Sequence, residues 1–378
     1  VTAYPNVIEL TRALVGMNTI NPPGNEHQCN SYLADLLKQA GFDVDLAEFA
    51  EGRSNLVARL GRQDKDDLPI CFTGHLDTVP LGTEPWSFDA FAGDIHDNKI
   101  YGRGTTDMKG GVAAMIVAAI DLAEQISDTQ GIVFVLTGGE ETGCDGAKAL
   151  SERPEILGRA GAIVVGEPTS NKPLIGHKGA LWLRAVCRGI TAHGSTPELG
   201  INAVYAACQA IGKIENFGFN VPPHSVIGSP SINVGRVQGG INVNSVPDYA
   251  EFDIDIRTIP SQDHSTIITH LGQYIGQDVS LEATVDVDGV ISDFSDLWIQ
   301  DVFNCTEKIL GTPLTGETAK YFTDASVLTP AFGNPPTIII GPGDAAVAHK
   351  TDEYCEIDKL HQAVEIYTSI LKRWCLTI

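Results

Sequence analysis

The sequence predicts an α/β protein whose main sheet is interrupted by a small, ferredoxin-like α+β insertion. Three observations carry this. Short β-branched apolar runs recur between turn residues, they alternate with stretches of helical length, and the middle of the chain changes to a β-α-β-β-α-β order. At 378 residues the chain is too long for one comfortable core, so two domains are expected: 1–176 with 292–378, and an inserted 177–291.

Taken in order, residues 32–40 read as a helix and 70–73 as a strand. Residues 111–124 form a helix that is apolar all round and hence buried, followed by strands over 132–136, 162–165 and 337–340. Each of the four strands runs into ionisable residues: His75 and Asp77, then Glu140 and Glu141, then Glu167, and slightly later His349. Ligands collect at the carboxyl ends of strands in open α/β sheets, so chain order alone converges these groups on one edge. Inside the insertion, strands are expected over 181–186, 231–237 and 281–287, and helices over 201–214 and 264–275. Residues 249–257 alternate, with Ala250, Phe252, Ile254 and Ile256 facing one way and Glu251, Asp253, Asp255 and Arg257 the other.

Composition removes several classes of function. Twenty-five Lys and Arg against 48 Asp and Glu give a net charge of −23, which excludes the dense basic footprint a nucleic-acid partner requires. The longest apolar stretch, 112–120, is too short to span a membrane, and the first residues have no basic flank leading into an apolar run. A cytoplasmic protein is expected; the chain opens on Val1, which leaves room for a removed upstream segment. Eight scattered cysteines without a CxxC pair point to reduced, mostly buried thiols.

The ionisable groups form a ligand set for two divalent ions. Histidine nitrogen and carboxylate oxygen suit zinc, and cobalt or manganese accept the same donors. His75 and His349 would each serve one ion, Asp107 would bridge both through its two oxygens, and Glu141 and Glu167 would complete the two sets. Two such ions activate a water between them and polarise a carbonyl. Asp77 stands where a carboxylate orients a ligating imidazole. Glu140, adjacent to Glu141 but pointing elsewhere, is the candidate general base, with burial expected to raise its pKa. Taken singly, an HxD, a Glu pair and a GEP turn are ordinary loop features; their joint placement after separate apolar strands is not.

With these residues laid out, the chain resembles the zinc aminoacylase and carboxypeptidase family that includes acetylornithine deacetylase, succinyl-diaminopimelate desuccinylase and the glutamate carboxypeptidases. The resemblance spans nearly the whole length, on GHLDTVP (74–80), YGRGTTDMKGG (101–111), GGEETG (138–143), GEPT (166–169), GITAHGSTPELGINA (189–203), NSVPD (244–248) and GPGDAAVAHKTDEY (341–354). It implies a dinuclear-metal, aminopeptidase-like α/β catalytic domain interrupted by a lid and dimerisation domain, hence a homodimer. By position it implies His75, Asp107, Glu141, Glu167 and His349 as ligands, Asp77 as the orienting aspartate and Glu140 as the base. His193 would reach the partner subunit's site and stabilise the oxyanion. Asn244 and Arg257 match positions that bind substrate, although Arg257 also sits among acids that invite a structural ion pair. Gly341 and Gly343 match a loop whose N–H groups hold a substrate carboxylate. One departure stands out: Gly139 replaces the Asp that many members carry before the Glu pair.

The function so implied is metal-dependent cleavage of the amide of an N-acyl-L-amino acid, acetylornithine deacetylase-like before desuccinylase-like, with a dipeptidase or glutamate carboxypeptidase as the alternative. A dinuclear phosphoesterase would share the ligand types but needs a cationic clamp, and only Arg103 and Lys109 stand beside the motifs. A non-catalytic metal-binding protein would have no use for Glu140.

Overall fold

The computed structural model describes residues 4–62 and 67–376. It contains two compact units: one runs to Gly176 and includes Ile291–Ala319 and the chain from Thr323, and the other comprises His177–Val290 with Lys320–Phe322.

Four parallel strands form the centre of the first unit's sheet, in the order Ile132–Thr137, Ile70–His75, Ala162–Val165 and Thr337–Ile339. These are the four apolar runs that the sequence marks as strands. Every residue in them is buried, as expected of strands covered on both faces. Arg53–Leu60 and Asp43–Ala50 extend the sheet antiparallel on one side, and Leu174–His177 pairs antiparallel with Thr337–Ile339 on the other. The helices Glu26–Gln39, Gly110–Ile126 and Ile357–Leu376 pack into its core through Leu33, Leu37, Val112, Ile116, Ile366 and Ile370.

Two of the boundaries that differ from the sequence reading bear on buried groups. The first parallel strand continues through Gly74 to His75, bringing the histidine onto the sheet itself. Gly74 makes this close passage possible, because a β-carbon there would lie 2.4 Å from Cε of Met108. The first long helix begins at Glu26 rather than near residue 32. Its extra turns bury Glu26, Cys29 and Asn30, with Glu26 held 2.7 Å from Arg53, and buried polar residues of this kind carry no apolar periodicity.

The second unit has the β-α-β-β-α-β order read from the sequence: Gly179–Arg188, Ala203–Ile214, Ser231–Gly239, Tyr249–Thr258, His264–Ile275 and Val279–Val287. Its antiparallel sheet runs Ser231–Gly239, Tyr249–Thr258, Gly179–Arg188, Val279–Val287. Ala250, Phe252, Ile254 and Ile256 are buried against Ala207, Ile214, Ile267 and Leu271, on the face the alternation predicts. The first of these helices starts at Ala203 because Asn202 caps it, accepting from the Tyr205 N–H. Lys320–Phe322, expected in the other domain, belongs here; the Phe322 ring meets Trp182 edge-on at 6.1 Å.

All eight cysteines are free thiols and only Cys208 is exposed. No helix among the described residues is long and apolar enough to cross a membrane.

Candidate metal centre

His75 ends its strand, Glu140 and Glu141 come after the strand Ile132–Thr137, and Glu167 comes after Ala162–Val165, so all four emerge at the same edge of the parallel sheet. Asp107 arrives from a turn that precedes the buried helix Gly110–Ile126. His349 comes from the loop after Thr337–Ile339 with φ of 63°, a left-handed conformation that costs a residue bearing a β-carbon roughly 1–2 kcal/mol.

Asp107 lies between the two imidazoles. Its Oδ1 is 3.1 Å from Nε2 of His75 and its Oδ2 is 3.2 Å from Nε2 of His349. On the first side Oε1 of Glu167 stands 3.7 Å from His75, and on the second Glu141 stands 3.1 Å from His349. Oε2 of Glu140 is farther out, 4.0 Å from His75. The donor atoms of His75, Asp107 and Glu141, and those of His75, Glu140 and Glu167, lie within 4.8 Å of one another.

Burial pushes the Glu140 and Glu167 carboxyls well above the usual carboxylate range, with repulsion from neighbouring acids adding to it. Glu141 is raised by burial and by Asp107. Against the effect of burial, hydrogen bonds with His349 and His75 hold Asp107 far below that range. His349 is pushed up to about 10 by Asp107 and Glu141, while His75 is raised by Asp107 and Asp77 in spite of its burial. Several carboxyls are thus crowded into low dielectric with two imidazoles, a site short of positive charge. Its histidine and carboxylate donors fit divalent ions.

Asp77 stands beside His75, as expected, and does more. Nδ1 of His75 is 3.0 Å from the Asp77 carbonyl oxygen and 3.5 Å from its carboxylate. The carboxylate also accepts from the N–H groups of Glu140 and Glu141, at 3.2 and 3.3 Å, and fixes the loop that carries both acids. Asn21 supports it, donating to Asp77 and to Thr142 at 3.0 Å each. Gly139, with φ of +75°, needs no side chain here: a β-carbon would lie 2.8 Å from that of Asp145 and 2.9 Å from Nη2 of Arg53. Asp145 and Arg53 occupy the space an Asp at 139 would take.

Gly341 packs so closely on the Glu167 loop that a β-carbon would fall 2.2 Å from the Gly166 carbonyl oxygen. Its N–H donates to Oγ1 of Thr169 at 3.2 Å. Arg103 and Lys109 are fully buried, Arg103 against Glu353 and Lys109 on the carbonyls of Leu14 and Met17, and neither serves as a phosphate clamp. Sequence reasoning missed Asn21, hidden in an Asn-Pro-Pro turn, Glu353, quoted only within a motif, and Asp324, which has no sequence signal. Asp324 is buried, bonded to the Thr137 hydroxyl and pushed up to about 6 by burial.

His193, Asn244 and Arg257 belong to the second unit. His193 pairs across a two-residue ladder with Ser245, next to Asn244, whose carbonyl accepts from the Gly194 N–H. Nδ1 of His193 lies 2.7 Å from Oγ of Ser195 and 3.2 Å from its backbone nitrogen. Arg257 pairs with Asp255 at 2.9 Å, the ion pair its polar face allowed, and lies over the Trp182 ring.

A parallel α/β sheet that gathers two histidines and four carboxylates at the carboxyl ends of its strands is the frame of a metal-dependent hydrolase. The chain belongs to Peptidase family M20/M25/M40, which it matches over residues 71–373. It is 31% identical over 389 residues to a probable succinyl-diaminopimelate desuccinylase of Staphylococcus epidermidis, covering 93% of this chain and 94% of the relative. It is also 31% identical over 390 residues to the acetylornithine deacetylase of Photorhabdus laumondii, covering 99% and 98%. Among solved structures, an M20 metallo-carboxypeptidase from Sulfolobus solfataricus superposes with TM-score 0.83 at 16% identity, over 98% of this chain and 99% of the other. A dinuclear metal-binding M20 peptidase from Bacillus subtilis superposes with TM-score 0.69 at 15% identity, over 97% and 96%. At these identities the structures speak for the fold.

Proposed function

We propose that the protein hydrolyses the amide bond of N-acyl-L-amino acids, with two divalent ions, most simply zinc, held by His75, Asp107, Glu141, Glu167 and His349. The observation that carries this is the Asp107 carboxylate set between two imidazoles, with Glu140 beside it. The bound ions would supply Lewis acidity for a water and for the scissile carbonyl. Glu140, its carboxyl raised by burial, takes the proton of the attacking water and returns it to the leaving amine nitrogen. Asp77 holds the Glu140–Glu141 loop in register through the two N–H bonds.

A carboxylate-bearing substrate is supported by a cationic group in the second unit. Lys178 is lowered by burial and by the nearby charges of Lys320 and Arg257, the latter also paired with Asp255 at 2.9 Å. Arg257 and Asn244 of the second unit are residues we assign to substrate binding, and Gly343 of the first is another. The test is release of free amine from N-acetyl, N-succinyl and dipeptide substrates by zinc-loaded protein, with cobalt and manganese loading in parallel. Turnover is expected on N-acetyl or N-succinyl amino acids carrying a free carboxylate. Turnover of dipeptides alone would shift the assignment to an exopeptidase, and none on any class would sink the amidohydrolase reading.

The active form we infer is a homodimer through the second unit. Strand Ser231–Gly239 is the edge of its sheet, and Val237, Ile241, Val243, Leu199 and Tyr205 are exposed on this unit, Ile241 at 91%. His193, exposed on this unit, would complete the oxyanion site of the partner copy. A charge at the edge, Val237→Lys, is expected to give monomers in sedimentation equilibrium together with loss of turnover. A fully active monomer would remove the partner's His193 from the mechanism.

A further inference from the structure

The turn carrying Asp107 and the loop carrying His349 are tied together by one buried ion pair. Oε1 of Glu353 accepts from three backbone N–H groups of the Asp107 turn: Gly104 at 3.0 Å, Thr106 at 2.9 Å and Asp107 itself at 3.1 Å. Its Oε2 accepts from Nη1 of Arg103 at 2.5 Å. The same guanidinium donates to the Lys350 carbonyl at 3.3 Å, one residue after His349, and to the Pro80 carbonyl at 3.1 Å, three residues after Asp77. Both side chains are 1% exposed, and the guanidinium lies over the Trp86 ring.

Three segments that bear site residues therefore meet on a single carboxylate–guanidinium pair. A carboxylate that accepts several N–H bonds in a dry interior fixes the backbone giving them more tightly than neutral acceptors do. The left-handed backbone of His349 needs such external support to persist.

We propose that Glu353 and Arg103 are positioning residues that set the spacing of Asp107 and His349 and thereby the affinity of the centre for its ions. The inference rests on the proposed two-ion centre. Glu353 acts through the backbone of Asp107, the ligand shared by both ions, and Arg103 acts through the carbonyl next to His349, the ligand of one. The two residues thus leave different signatures. Glu353→Gln keeps an acceptor of the same shape but loses the charge, and is expected to weaken binding of both ions, by about 10–100-fold, the usual effect of altering a group that orients a metal ligand. Arg103→Lys keeps a charge opposite Glu353 but loses the fork that reaches Lys350 and Pro80 together; it is expected to weaken the second ion alone by a similar factor.

The experiment is titration of metal-free wild type, E353Q and R103K with Co²⁺, reading stoichiometry, stepwise affinity and the visible absorption of each bound ion, with circular dichroism as a check on folding. Wild type binding two ions while R103K binds the second more weakly, with an altered visible band, supports the proposal. Wild-type affinities and spectra for both ions in R103K overturn it, whether or not E353Q folds. Wild type binding no Co²⁺ overturns the metal-centre reading itself, and the proposal with it.

Discussion

Glu140→Ala is expected to lower kcat by about 10²–10⁴-fold while leaving the bound metal content unchanged. Oε2 of Glu140 is the most distant of the carboxylate contacts to His75, at 4.0 Å, so removing it leaves Asp107 and Glu167 in place on that side. What disappears is the group assigned to carry a proton from water to amine. In the wild type the base works in its ionised form. Because burial raises the Glu140 carboxyl, kcat/KM should rise with pH through that elevated value and fall as acid protonates it. The acid limb should be absent from the residual activity of the variant. Metal analysis beside a pH–rate profile reads both effects; undiminished hydrolysis by Glu140→Ala would end the proposed mechanism.

Asp107→Ala is expected to reduce metal binding from two ions to fewer than one per chain and to abolish turnover. The two oxygens of Asp107 stand 3.1 and 3.2 Å from two different imidazoles. Its loss removes one donor from each set. The Glu353 cradle would still hold the backbone, since its bonds are to N–H groups that alanine retains. The defect should therefore appear as lost affinity with little change in the fold, and Asp107→Asn, which keeps one oxygen, should fall between. Equilibrium dialysis with metal analysis decides it. Two ions retained at wild-type affinity in Asp107→Ala would mean that the shared donor lies elsewhere.

Much of the centre was legible because its residues come directly after strands. A buried parallel strand announces itself as an unbroken apolar run, and the residues just past its carboxyl end lie by topology at the edge where ligands bind. His75, Glu140, Glu141 and Glu167 could be found that way, and the alternation at 249–257 likewise revealed the buried face of the second sheet. Asn21, Asp324 and Glu353 could not. They sit in turns or at helix ends, and their partners are far off in sequence: Glu353 reaches Asp107 across 246 residues and Asn21 reaches Thr142 across 121. Nor did the sequence indicate that Asp77 would use its carboxylate on the Glu140–Glu141 backbone, or that Asp145 and Arg53 would fill the space beside Gly139.

The sequence by itself determined which strands form the centre of the sheet, which ionisable residues lie at its edge and the order of the second unit's elements, because each depends on local periodicity and chain direction. Only the tertiary structure decided that Asp107 stands between the two histidines and that a buried Arg103–Glu353 pair joins the loops beneath them. Those facts depend on where buried backbone donors find acceptors, and that pairing exists only once distant segments have been packed together.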